Sequence, residues 1–355
     1  MIDINRLLDE ARRLGCSDVH LTVGLPPIVR LHGELRKLSM FNEQTNDAIL
    51  EVAKYITTSG NMDKINANED ADFSYVSKSG YRHRVNVFHQ RGNVAIAIRI
   101  LRNEIPTIED LGLPPVIKEF ADRPRGLILV TGPTGSGKST SLAAMIDYIN
   151  TKRNCHIITI EDPIEYTHVH KKSMINQREV GLDVNNFSDA LRSSLREDPD
   201  VILVGEMRDY ETISAAITAA ETGHLVMSTL HTTGAADTIN RIIDVFPAHQ
   251  QSQIRTQLAS TLVGVVSQTL VQNCAGDGRV AATEVLIATD AVSAMIRENK
   301  VHMITTAIQT GRSMGMMSLD QCLAQYVKDR KIRLETAYDV CMDVNDIRNF
   351  LGLKI

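Results

Sequence analysis

Nine consecutive residues, Gly132-Pro133-Thr134-Gly135-Ser136-Gly137-Lys138-Ser139-Thr140, constrain this chain more than any other feature, because they complete the spacing G-x-x-x-x-G-K-[ST]. The apolar run before them, Leu127-Ile128-Leu129-Val130, reads as a buried strand. The segment after them, Ser141-Leu142-Ala143-Ala144-Met145-Ile146-Asp147-Tyr148-Ile149, reads as a helix. In that setting the helix aims its N-terminal N–H groups and positive dipole end at a bound phosphate. The glycines let the backbone wrap closely around phosphates, Lys138 reaches the β and γ positions, and Ser139 offers its hydroxyl to Mg²⁺. The spacing therefore predicts nucleotide binding through all nine residues, with ATP and Mg²⁺ as cofactors.

The chain has 355 residues, 43% of them hydrophobic, which is enough for two domains with sizeable cores. A net charge of −5 gives no global attraction to nucleic acid or anionic lipid, and no nucleic-acid partner is expected. Five cysteines, at 16, 155, 274, 322 and 341, form neither a C-x-x-C pair nor a zinc-ligand spacing, so free thiols in a reducing compartment are expected. The N-terminus reads as an amphipathic helix ended by Gly15, not as a signal peptide. The longest charge-free stretch, 256–276, is interrupted by Gln, Ser, Thr and Asn and reads as a buried helix of a soluble protein.

Organisation changes near residue 106. Before it, short alternating runs such as Asp18-Val19-His20-Leu21, Tyr81-Arg82-His83-Arg84-Val85 and Val94-Ala95-Ile96-Ala97-Ile98 are separated by Gly and Pro turns, which predicts a small α+β domain on an antiparallel sheet. Pro106, Pro114, Pro115 and Pro124 then punctuate a stretch of linker composition. Beyond it, buried strands at 127–130, 156–160, 201–204 and 225–228 alternate with helical patterns, an α/β arrangement, and helical periodicity dominates from about Asp237. The expected division is 1–105, a linker at 106–120, and 121–355.

Further constellations bring chemistry to the phosphate loop. The strand Val201-Ile202-Leu203-Val204 delivers Glu206 at its carboxyl end, where a general base orients attacking water. Thr159-Ile160-Glu161-Asp162-Pro163 ends another strand in acids, and Glu161 and Asp162 suit Mg²⁺ held through water, with Glu161 the alternative base. His224 and His231 bracket one strand, either as structural groups or as sensors of the γ-phosphate.

These boxes together resemble the secretion-type ATPase superfamily, in its pilus-retraction branch. The resemblance rests on the phosphate loop, the acidic box 160–166, the box 200–209 containing Glu206, and the histidine box Thr222-Gly223-His224-Leu225-Val226-Met227-Ser228-Thr229-Leu230-His231-Thr232. It extends to Gly15-Cys16-Ser17-Asp18-Val19-His20-Leu21 near the start. It implies a PAS-like N-terminal domain before a RecA-like ATPase domain, and a ring-shaped homohexamer with nucleotide between subunits. It also implies phosphate-directed arginines on the N-terminal strands, here Arg82, Arg84 and Arg99. The implied partners are an inner-membrane pilus platform protein and, indirectly, the pilin fibre. Membrane association would be peripheral, at the cytoplasmic face. The extra N-terminal domain and tetracysteine motif typical of extension and secretion enzymes are not found in the sequence. The C-terminal stretch Ala291-Val292-Ser293-Ala294-Met295-Ile296-Arg297-Glu298 keeps only the second half of the branch's motif.

Overall fold

The structure, a computed structural model, describes residues 2–31, 33–101 and 104–353. The chain divides into two compact units, Met1–Glu104 with Pro163–Thr167, and Ile105–Asp162 with His168–Ile355.

The first unit is built on strands β1 (Asp18–Leu21), β2 (Ile28–Leu31), β3 (Glu34–Lys37), β4 (Ala71–Val76), β5 (Arg82–Gln90) and β6 (Asn93–Ile100), in the order β3-β2-β1-β6-β5-β4. Every neighbouring pair is antiparallel. Alternation sorts the side chains between faces. Val19, Val29, Val85, Val87, Ile96 and Ile98 point into a core completed by α1 (Ile4–Arg13) and α2 (Asn46–Ile56), while α3 (Ser59–Asn66) adds Ile65. Asp3 starts α1 by accepting from the N–H groups of Asn5 and Arg6, and Gly15 leaves it at φ 77°.

Arg82, Arg84 and Arg99 alternate with the core residues and so share the opposite face. Arg84 and Arg99 are paired directly across β5 and β6, and Arg99 faces Asp18 on β1.

The second unit carries β7 (Gly126–Thr131), β8 (His156–Glu161), β9 (Met174–Glu179), β10 (Val201–Val204), β11 (Leu225–Leu230), β12 (Leu262–Gln272) and β13 (Arg279–Ile287), ordered β13-β12-β7-β11-β10-β8-β9. All pairings are parallel except β12 with β13. Strands β7, β10 and β11 are buried along their whole length, as a parallel sheet covered on both faces requires. Helices α4 (Val116–Ala121) and α5 (Lys138–Lys152) cover one face. The other is covered by α6 (Phe187–Ser194), α7 (Tyr210–Glu221), α8 (Ala235–Asp244), α9 (Ala248–Thr261), α10 (Asp290–Arg297) and α11 (Ile304–Thr310). The last three helices, α12 (Leu319–Lys328), α13 (Leu334–Val340) and α14 (Val344–Leu351), pack on the β12–β13 hairpin through Val271, Ala282, Leu323, Ala337 and Ile347.

Two sequence expectations are corrected here. The charge-free stretch 256–276 is not one helix: α9 ends at Thr261 and β12 begins at Leu262. A strand buried on both faces shows no period-2 alternation, so Leu262-Val263-Gly264-Val265-Val266 reads as a plain apolar run. The proline-punctuated stretch 106–120 is no free connector either, because Ile108, Leu113, Val116 and Ile117 are buried in the core of the second unit.

Candidate functional site

The phosphate loop leaves the carboxyl end of β7 and enters α5 at Lys138. Its glycines are required by space and by backbone. A Cβ at Gly132 (φ 136°) would meet the Gln268 carbonyl oxygen at 2.1 Å, and one at Gly137 (φ 90°) would meet Gln268 Nε2 at 2.7 Å. Strand β12 therefore forms the wall behind the loop. Lys138 is buried, and its Nζ donates to the carbonyls of Gly132 (2.8 Å) and Pro133 (3.0 Å). Thr134, Gly135 and Ser139 are exposed, Thr140 is half-buried, and Ser136 is buried. The fifteen-residue α5 begins on these residues, so its N–H groups and dipole meet an anion held by the loop.

Strand β11 lies between β7 and β10, with Thr131 opposite Leu230 and Val204 opposite Ser228. The loop and the carboxyl end of β10 therefore share one edge of the sheet, about 10 Å apart at backbone level, two strand spacings. The chain beyond β10 is pinned on both sides. The Gly205 N–H donates to the Ile160 carbonyl (2.8 Å), the Thr229 hydroxyl donates to the Gly205 carbonyl (2.6 Å), and the Met207 N–H donates to the Thr229 carbonyl (3.0 Å). Between these anchors lies Glu206. Its Oε2 lies 2.8 Å from Arg208 Nε and 3.5 Å from His231 Nε2. Glu161 ends β8, one strand further from the loop, where its Oε1 accepts from the Thr159 hydroxyl (2.7 Å) and Gln177 Nε2 (3.2 Å). Asp162 follows it and is exposed.

Loop, Glu206, His231, Glu161 and Asp162 thus line one edge. His224 does not join them. It precedes β11 at the opposite end of the sheet, six residues or about 20 Å from the loop side. Its Nδ1 lies 3.0 Å from the Ala219 carbonyl and 3.3 Å from the Thr222 hydroxyl at the end of α7, and its own carbonyl accepts from the Gly126 N–H. The expectation that His224 contacts phosphate is corrected to a structural one within its own subunit, because a parallel strand sends its two ends to opposite edges.

Each N-terminal arginine is engaged on its own sheet. Arg82 donates to the Ser74 hydroxyl (2.6 Å), Arg84 pairs with Asp72 (2.7 Å) and Arg99 with Asp18 (3.2 Å). The exposed ion pairs of Arg84 and Arg99 contribute about 1 kcal/mol or less each.

The donor set fits Mg²⁺. Ser139, Glu161, Asp162 and Glu206 offer hard oxygens at one edge, while no group of three or more His, Cys, Asp or Glu able to hold a metal occurs among the described residues. An ion held partly by nucleotide phosphates and water needs no protein-only cage. Sequence reasoning missed Arg208 and three groups around the loop. Gln268 Nε2 donates to the Ser136 carbonyl (2.6 Å), the Ser267 hydroxyl accepts from the Gly234 N–H (2.9 Å), and Glu284 accepts from the Ala235 N–H (2.7 Å), its carboxyl pushed above the usual range by burial. The last three sit on β12 and β13, where the only available signal was a pair of polar residues at the end of an apolar run.

A phosphate loop at the carboxyl edge of a parallel sheet, with an acid two strands away on the same edge, defines a P-loop nucleotide-binding protein. The model of the family described as type II/IV secretion system protein matches residues 1–333, and the chain belongs to that family. The chain is 48% identical over 341 residues to the type IV pilus retractation ATPase PilT of Pseudomonas aeruginosa, covering 95% of this chain and 97% of that one. It is 38% identical over 355 residues to the type IV pilus ATPase PilU of the same organism, covering 99% and 92%. A crystal structure of the pilus retraction motor PilT with bound ADP superposes with a TM-score of 0.92 at 48% identity, covering 98% of this chain and 100% of that one.

Proposed function

We propose that this chain is an ATP-hydrolysing motor subunit, assembled as a homohexameric ring, that powers retraction of a type IV pilus and hence twitching motility. The observation that carries the reading is the shared sheet edge bearing the phosphate loop and Glu206, in a chain 48% identical to PilT over 95% of its length. Lys138 neutralises β- and γ-phosphate charge, and Glu206 orients the attacking water and takes up its proton. His231, 3.5 Å from the Glu206 carboxylate, steadies that carboxylate and reads the γ-phosphate. Ser139, Glu161 and Asp162 are the residues that would hold Mg²⁺, which when bound would supply charge stabilisation to the phosphates. Residues 1–105 form the domain that offers Arg82, Arg84 and Arg99 to a neighbouring subunit's nucleotide, where they stabilise charge developing in the transition state.

In this reading the load is an inner-membrane platform protein at the cytoplasmic face, and pilin leaves the fibre as the ring turns over. On α10, Val292 and Ile296 are buried whereas Ala291 and Arg297 are exposed, so Arg297 is the group available to a partner. Deleting the gene in its host and imaging the cells tests the assignment. Loss of retraction leaves pili long, numerous and static. Cells without pili would mark an extension motor instead and overturn the reading.

A further inference from the structure

We infer that Gln268 is a positioning residue for nucleotide binding, one that orients the Ser136–Gly137 peptide so that its N–H faces the bound phosphates. The inference rests on the nucleotide-binding reading above and extends it to a strand outside the motif. The Gln268 side chain is 4% exposed and spans two parts of the site: Nε2 donates to the Ser136 carbonyl at 2.6 Å, and Oε1 accepts from the Ser141 hydroxyl at 2.8 Å. Chemistry settles which way the amide faces. A carbonyl oxygen only accepts, so the NH₂ end must meet Ser136, and the Ser141 hydroxyl is left to donate to the oxygen end.

Peptide planarity carries the effect across the loop. In a trans peptide the C=O and N–H point in opposite directions, so drawing the Ser136 carbonyl toward β12 turns the Gly137 N–H away from β12 and toward the concave side. Gly137 needs help to hold this orientation, because a glycine at φ 90° has little conformational preference of its own. Ser141, in the first turn of α5, ties the same amide to the helix whose N-terminus completes the anion site. Both bonds are buried, so their loss leaves the Ser136 carbonyl and the Ser141 hydroxyl without partners in a desolvated place.

Gln268→Met is the informative substitution, because it keeps length and volume while removing donor and acceptor. Binding of a fluorescent ADP analogue is measured for the full chain, the Met variant and Lys138→Ala, alongside the melting temperature without nucleotide. The expected result is an apo melting temperature within a few degrees of the parent and an ADP Kd weakened on the order of tenfold or more. Faster amide hydrogen exchange across residues 132–141 in the nucleotide-free Met variant is expected as well. Should Met destabilise the apo fold, Gln268→Glu provides the second arm: it keeps the shape but opposes a carboxylate to the Ser136 carbonyl, and the same loss is expected. ADP binding within twofold of the parent in the folded variant overturns the role of Gln268. A folded parent chain that binds no ADP overturns the nucleotide reading itself, a different outcome from the first.

Discussion

At the scale of single residues, the question is which carboxylate activates water. Glu206 and Glu161 both end parallel strands, but β10 is two strands from the loop and β8 three, which places Glu161 about 5 Å further away at backbone level. Glu161 is also held by Thr159 and Gln177 on its own side of the sheet. Glu206→Gln keeps the shape and removes the basic oxygen, so hydrolysis should slow by about 10² or more while ATP binding persists. Steady-state turnover measured beside nucleotide binding checks this. A near-parental rate would transfer the role to Glu161.

At the scale of elements, burial of charge-bearing groups sets the pH response. His83, on the core-facing row of β5, is pushed down to about 4 by burial, with the nearby Arg12 charge adding to the shift, and burial of His168 before β9 does the same. Each histidine binds its proton near pH 6.5 when unfolded and only near 4 when folded. The unfolded chain therefore takes up more protons between those values, and stability present above pH 6.5 is lost as pH falls toward 4. The cost is about 2 kcal/mol per histidine at pH 5. Melting temperatures recorded from pH 7.5 to 5 should fall, and His83→Leu should flatten part of that slope.

Elements also differ in how plainly the sequence announces them. The loop strand, β8, β10 and β11 were legible because apolar runs bounded by Gly, Pro and acids have few other meanings. Glu206, Glu161 and Asp162 followed from them, since strand ends define an edge. Strand β9 was missed because Met174-Ile175-Asn176-Gln177-Arg178-Glu179 is a polar edge strand. The hairpin β12–β13, and with it Gln268, was missed because two-sided burial erases periodicity. The position of His224 was misjudged although the same rule applies to it: it precedes β11, and in a parallel sheet the amino ends of the strands lie at the edge away from the loop.

At the scale of the whole molecule, the homohexameric ring proposed above would make each active site a shared property. In that proposal, Arg84→Ala or Arg99→Ala removes a group offered to the neighbouring subunit but leaves the phosphate loop intact, whereas Lys138→Ala does the reverse. Each variant alone should have little ATPase activity. Mixed after reversible dissociation, they should recover a measurable fraction of the parental rate, because some interfaces then pair an intact arginine with an intact loop. Mixtures no more active than their components would mean that the arginines act within one chain or not at all.

The β12–β13 hairpin touches two distant parts of the second unit. Gln268 and the backbone of β12 pack behind the phosphate loop, while Val271, Ala282 and the Ala281 carbonyl, which accepts from the Tyr326 hydroxyl at 2.8 Å, hold the C-terminal helices. The hairpin therefore connects those helices to the wall behind the loop. In a motor of the proposed kind, load borne by those helices is expected to change the rate at which spent nucleotide leaves, so a stalled subunit would exchange its fuel at a different rate from an idling one.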